Sequence, residues 1–229
     1  MIVTAKEFIK KVMFKNKKGN FKNKGGWPGL KVLPNVDILI DVGIGHQGTY
    51  GLYKYFPKSR YIFIDPIIET RDAIQPLLDL DVRHTFVSTA LGASNSKGII
   101  HVRYPISQSG LYKLNNNLNG TTEEREVSIR TLDSVWSEIK TTGTVGIKVD
   151  VEGYELEVLK GAGEMLNIVK FIILELPIGG ARFKGSYSFE EAISFMIAKD
   201  FEAVSLRTSG DGTNHCDIAF INKAFQIGK

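Results

Sequence analysis

From Val36 onward the chain alternates short apolar runs with segments of helical spacing. "VDILIDV" (residues 36–42) is a near-continuous apolar run, the pattern of a strand buried on both faces. "GIGHQG" (43–48) follows, then a predicted helix over 48–56 and a second strand, "RYIFID" (60–65). A helix around 68–80, weakened by Pro76, leads to a third strand, "VRHTFVSTA" (82–90). Residues 92–130 break the rhythm: "GIIHVRY" and "REVSIRTL" predict two strands flanking a polar loop, an insertion carried on the sheet and not a second domain. Leu132, Val135, Trp136 and Ile139 then predict a helix over 132–140, with Thr131 as its N-cap. "GIKVDVEGYELEVLKG" (146–161) supplies a fourth core strand and its helix, and "KFIILEL" (170–176) a fifth strand. In "SFEEAISFMIAKD" (188–200), Ser188 and Glu191 form a capping box, and Phe189, Ala192, Ile193, Met196 and Ile197 form one apolar face. "FEAVSLR" and "CDIAFIN", joined by a Gly/Ser/Asp/Asn turn, predict a terminal antiparallel hairpin.

This order predicts an open, mostly parallel, doubly wound α/β sheet. Ligands bind such sheets at the carboxyl ends of the strands, near the switch in strand order. At 229 residues one domain suffices, drawn as residues 35–229 behind an extension at 1–34. The extension changes the reading of the net charge of +4, because residues 1–31 hold nine lysines against Glu7 alone. The remainder is slightly acidic. A basic segment of this kind attracts an anionic substrate, a lipid surface or nucleic acid, or serves as a solvated extension; residues 3–13 predict a short amphipathic helix within it. No apolar run approaches the roughly 20 residues of a membrane helix. The N-terminus lacks the apolar core of a signal peptide, and Cys216 has no second cysteine to bond. These features predict a cytoplasmic protein.

Gly43, Gly45 and Gly48 fit G-x-G-x-x-G between a buried strand and a helix, where glycines permit a sharp turn and close approach of a ligand to the backbone. Asp41 discriminates between ligands. An acid two places before the first glycine disfavours the pyrophosphate of a nicotinamide dinucleotide and favours the ammonium and sulfonium of S-adenosylmethionine. Asp65, closing the second strand, is placed to accept hydrogen bonds from ribose hydroxyls of either ligand. His46 either contacts the ligand or faces solvent.

The chain resembles the FkbM-type family of S-adenosylmethionine-dependent methyltransferases over about residues 38–222. "IKVDVEGYELEVLKGA" carries the resemblance most specifically, supported by "DVGIG", "TALGASNSKG", "VSIRTLDSV" and "CDIAFIN". Where the family shows Phe-Glu-Pro after its second strand, this chain has Ile64-Asp65-Pro66, a carboxylate on a shorter arm. Ile44 and His46 stand where the family carries Ala-Asn. The resemblance implies a Rossmann-like class I methyltransferase fold and O-methylation of a sugar, glycan or natural-product-like metabolite. It implies cofactor contacts from Asp41, Gly43, Ile44, Gly45, Asp65, Ala90 and Asp150.

A sugar hydroxyl needs a general base, or a metal ion that acidifies it. Lys148, Asp150 and Glu152 point to one side if the fourth strand stays extended, and a buried Lys148 requires an acid, with Asp150 the nearest. Asp150 and Glu152 are assigned to the site. Glu155 and Glu157 are assigned to the helix start, where the dipole favours carboxylates. Glu175 ends the fifth strand on the same edge, and with Asp150 it either flanks a divalent metal or serves a metal-free site. His215 is either the general base over the cleft or a surface residue. Three rival functions stand beside O-methylation: an RNA methyltransferase gripping phosphates with the lysine segment, an NAD-dependent oxidoreductase, and a non-catalytic nucleoside-binding module. The last site motif of a base methylase, Asn/Asp-Pro-Pro-aromatic, is replaced here by "DVEGY".

Overall fold

The computed structural model describes residues 30–114, 123–178, 183–208 and 215–225. The predicted helix over 3–13, the lysine-rich stretch up to residue 29 and the last hairpin's turn at 209–214 lie outside them. The first three strands are β1 (Ile38–Val42), β2 (Arg60–Ile64) and β3 (Thr85–Val87). The insertion contributes β4 (Ala90–Leu91), β5 (Ser96–Val102) and β6 (Glu123–Arg130). The chain then returns through β7 (Val145–Val149), β8 (Val169–Pro177), β9 (Phe201–Thr208) and β10 (His215–Asn222). Seven of these form one sheet in the order β3-β2-β1-β7-β8-β10-β9, in which β10 runs opposite to the other six. The strand order reverses between β1 and β7, which sets the switch point at their carboxyl ends.

Alternation along the central strands sends side chains to two faces, and both are covered. Ile38, Ile40, Ile147, Ile172 and Leu174 pack with residues of α3 (Leu132–Ile139), α4 (Glu155–Lys160) and α5 (Phe189–Ala198). Leu39, Phe63, Phe171 and Ile173 pack on the opposite face with residues of α1 (Tyr50–Tyr53) and α2 (Arg71–Leu80). Leu30 and Leu33, drawn into the N-terminal extension by sequence, are buried in this second face. Both predicted caps form: Thr131 accepts the Ser134 N–H at 3.1 Å, and Ser188 and Glu191 complete the capping box.

Four expectations change. The helix predicted over 48–56 shrinks to Tyr50–Tyr53, since Gly48 takes a left-handed φ of 63°. The strand predicted over 82–90 splits into β3 and β4, and Thr89 turns the chain by donating its hydroxyl to Ser128 O at 3.0 Å. The insertion does not join the main sheet; it forms a sheet of its own, β4-β6-β5, around Ile67, Ile100 and Val102. Ile197, counted with the apolar face of its helix, is 53% exposed. No described helix is long and apolar enough to cross a membrane.

Candidate active site

Strand register assembles a row of charges on one face of the sheet. Asp41 of β1 pairs with Lys148 of β7, and Lys148 with Ile173 of β8. Two residues further along, the same face carries Asp150 and Glu175, and Glu175 is registered with Asp217 of β10. The face that buries Leu39 and Phe171 therefore ends in ionisable groups at its carboxyl edge.

Lys148 is only 4% exposed and lies 2.9 Å from Asp150 Oδ2 and 3.7 Å from Asp41 Oδ1. The acid required for a buried lysine is present, and a second one stands behind it. Burial works against the Lys148 charge, but Asp150 and Asp41 more than offset it and hold its pKa above the ordinary lysine value. Burial also opposes the Asp150 charge; the Lys148 ammonium and a hydrogen bond from Glu175 bring that carboxyl below its usual range. Glu175 is driven the other way by burial and by its neighbours Asp150, Glu152, Glu155 and Asp217, well above the usual carboxyl range. It stays protonated at neutral pH and donates to ionised Asp150. His215 Nε2 lies 3.2 Å from Glu175 Oε1. Asp217, 3.6 Å from Arg207 Nη1, is raised to about 6 by burial and by Asp150.

The glycine loop follows from β1 by a close approach. Gly43 has φ +80°, and a Cβ there would stand 1.8 Å from the Asp150 carbonyl oxygen, so no larger residue fits between the β1 and β7 ends. Asp65 fixes the loop from β2. Its Oδ2 accepts the N–H groups of Ile44 (2.9 Å) and Gly45 (3.4 Å), and its Oδ1 accepts that of Ile67 (2.9 Å). Burial nevertheless raises its pKa to about 6.

After Asp150 the chain leaves the extended conformation. Glu152 has φ 56° and Gly153 φ 96°, so Glu152 does not continue the alternation of Lys148 and Asp150 expected for a straight strand. A left-handed non-glycine residue costs roughly 1–2 kcal/mol. Glu155 offsets it, accepting the N–H groups of Val151 at 2.9 Å and Gly153 at 3.2 Å with Oε1 and the Tyr187 hydroxyl at 2.6 Å with Oε2. Glu155 stands at the helix start, as expected, and is a buried clamp there, 1% exposed. Glu157 does belong to its helix, paired with Lys160 at 2.5 Å.

These elements enclose a cavity of about 480 Å³ at the switch point. Gly43, Ile44, Gly45, Asp65 and Ala90 line one side. Asp150, Glu152, Glu175 and His215 line the other, with Arg207 and Asp217, and the insertion contributes Ser107, Ser109 and Leu111 to the wall. The structure thus brings nine of the ten sequence-selected site residues to one cavity. Asp41 is the exception: it lies behind the wall, 1% exposed, accepting the Tyr53 hydroxyl and facing Lys148. Burial raises its pKa. His46 is on the cavity and hydrogen-bonds the Gln47 side chain at 2.8 Å. Asp150 and Glu175 meet as a hydrogen-bonded pair, and among the described residues no group of three or more His, Cys, Asp or Glu side chains is arranged to hold a metal ion. Sequence reasoning missed Asp217, although it interrupts an apolar strand pattern, and also Tyr53, Tyr187 and Arg207, whose roles arise only from tertiary contact.

A curated relative, the hexuronic acid methyltransferase AglP of Haloferax volcanii, is 32% identical over 148 residues, which are 62% of this chain and 57% of the relative. The chain therefore spans little more than half the length of that relative. Among solved structures, a putative methyltransferase from Thermobifida fusca YX superposes with a TM-score of 0.49 at 13% identity, over 94% of this chain and 83% of that one. The N-methyltransferase NodS from Bradyrhizobium japonicum WM9, in complex with S-adenosyl-L-homocysteine, gives 0.46 at 10% identity over 85% and 82%. The family model described as the Methyltransferase FkbM domain matches residues 37–203, most of the chain, and the protein belongs to that family of methyltransferases.

Proposed function

We propose that the chain is an S-adenosylmethionine-dependent O-methyltransferase whose acceptor is a hydroxyl of a sugar, glycan or natural-product-like metabolite. The observation that carries this reading is the Asp150–Glu175 pair with His215 beside it, on the cavity wall facing the glycine loop. The cavity volume falls within the roughly 300–1,000 Å³ typical of small-molecule sites. Its donor set suits a cationic nucleoside: backbone from Gly43, Ile44, Gly45 and Ala90 along one side, and the carboxylates of Asp65 and Asp150. Asp41 supports this set from behind through Lys148. When bound, S-adenosylmethionine supplies an electrophilic methyl group on a sulfonium.

The protein's own part is to hold the acceptor oxygen in line and to take its proton. His215, with Nε2 3.2 Å from Glu175 Oε1, is the general base that receives the hydroxyl proton. Glu175, protonated, keeps Asp150 ionised and fixed. Asp150 and Glu152 then accept hydrogen bonds from neighbouring acceptor hydroxyls. The lysine-rich segment adds an anionic partner, read out as binding that weakens with salt and is lost on deleting residues 1–29.

The test is methyl transfer from labelled S-adenosylmethionine into a pooled glycan and metabolite extract, with hexuronic-acid glycans among the first acceptors, and mass-spectrometric identification of the product. A base-stable methyl ether is the expected product. Thermal stabilisation by NAD, with none by S-adenosylmethionine or S-adenosylhomocysteine, overturns the reading.

A further inference from the structure

We infer that Glu155 and Tyr187 are positioning residues that tie the ends of β7 and β8 together so that Asp150 and Glu175 meet. The inference rests on the methyltransferase reading only for its kinetic readout. Neither side chain is among those lining the cavity, and they are 1% and 8% exposed, so neither touches a ligand there. Their hydrogen bonds nevertheless reach both strand ends. Glu155 Oε1 gathers the N–H groups of Val151 and Gly153, which brackets the left-handed turn at Glu152 immediately after Asp150. Glu155 Oε2 accepts the Tyr187 hydroxyl at 2.6 Å, and the same hydroxyl lies 3.3 Å from the backbone carbonyl of Glu175. One phenol thus bridges the turn that ends β7 and the residue near the end of β8.

The chemistry of the clamp is specific. The two backbone N–H groups and the Tyr187 hydroxyl all donate to the Glu155 carboxylate, which partly offsets the burial that raises its pKa. The buried negative charge also acts on Glu175, which faces Asp150 and Glu152 from the β7 end, Glu155 from α4, and Asp217 and His215 from β10. Clamp and charge are separable by substitution. Tyr187→Phe removes the bridge and keeps the ring. Glu155→Gln keeps an oxygen for the two backbone N–H groups and removes the charge.

Two measurements on the full chain test this. In the methyl-transfer assay, Tyr187→Phe should lower kcat roughly tenfold while KM for S-adenosylmethionine stays within about twofold. Glu155→Gln should move the alkaline limb of the kcat profile to lower pH. The second measurement, a carbon-13 NMR titration of the Glu175 side-chain carboxyl, needs no acceptor: both substitutions should bring its midpoint toward the ordinary carboxyl value. Transfer by the unaltered chain, with kcat and the Glu175 midpoint unmoved in both variants, overturns the inference and leaves the methyltransferase reading intact. No transfer by any variant, with the midpoint displaced as expected, retains the positioning role and removes the proposed reaction. An unmoved midpoint together with no transfer overturns both.

Discussion

The two walls of the cavity are built from opposite materials. On the β1–β2 side the acid that reaches the wall, Asp65, spends both oxygens on backbone N–H groups, and around it stand glycines, apolar side chains and the polar His46, Gln47, Thr49 and Thr89. On the β7–β8–β10 side, carboxyl groups bind one another, a buried ammonium and an imidazole. The first arrangement fixes a backbone shape around one buried carboxyl. The second is a coupled set of protons whose occupancy depends on every member. Holding a ligand and moving a proton make different demands, and the switch point of the sheet sets the two solutions face to face.

Four substitutions break or sharpen this contrast. The largest effect belongs to Lys148→Met, which leaves the buried Asp41 and the partly buried Asp150 without their cation; removing one partner of a buried pair costs about 3–5 kcal/mol. Thermal denaturation should show a fall on the order of 10 °C, and a change near zero would mean that the charged wall contributes nothing to the fold. Gly43→Ala attacks the other wall. Its Cβ would meet the Asp150 carbonyl oxygen and its φ of +80° disfavours a side chain, so calorimetry should find S-adenosylhomocysteine bound on the order of tenfold more weakly.

Next comes a pH effect. Glu175 donates to Asp150 only while protonated, so kcat should fall about tenfold per pH unit above its raised pKa. Glu175→Gln, whose amide still donates, should flatten that limb; an unchanged limb would assign it to another group. The smallest effect is expected of Asp217→Asn. The folded-state pKa of Asp217, about 6, lies above its ordinary 3.8, so its protonated form favours folding below about pH 4 and that contribution is lost as pH rises through 6. Asparagine stays neutral throughout. Melting should rise by a few degrees at neutral pH, about 1–2 kcal/mol, with no gain below about pH 4.

The seven-stranded sheet and its helices were legible because their signals are local: apolar runs for strands buried twice over, helical spacing at 132–140, and capping residues at Thr131 and Ser188. Lys148 was legible for a further reason, since a lysine inside an apolar run demands an acid, and Asp150 is there. The independent sheet of the insertion was not, because strand sequences do not say which partner they choose. Glu155 was legible as a residue of the helix start, but its burial was not, because the turn before it, left-handed at Glu152 and Gly153, folds the carboxylate inward. Asp41 was assigned to a ligand by its distance from the glycines, and Tyr53 and Lys148 claim it instead.

Among the described residues β4, β5 and β6 pair as strands only with one another, with one further bridge from Leu114 to Phe183, yet Ser107 and Ser109 stand on the cavity wall. Loop length, side chains or whole turns in this segment can therefore vary without disturbing the register that sets Asp41 against Lys148 or Glu175 against Asp217. Descendants of such a chain are free to trade one clientele for another while inheriting the machinery beneath unchanged, and a grafted insertion from a relative is the natural unit of exchange for anyone wishing to redirect it.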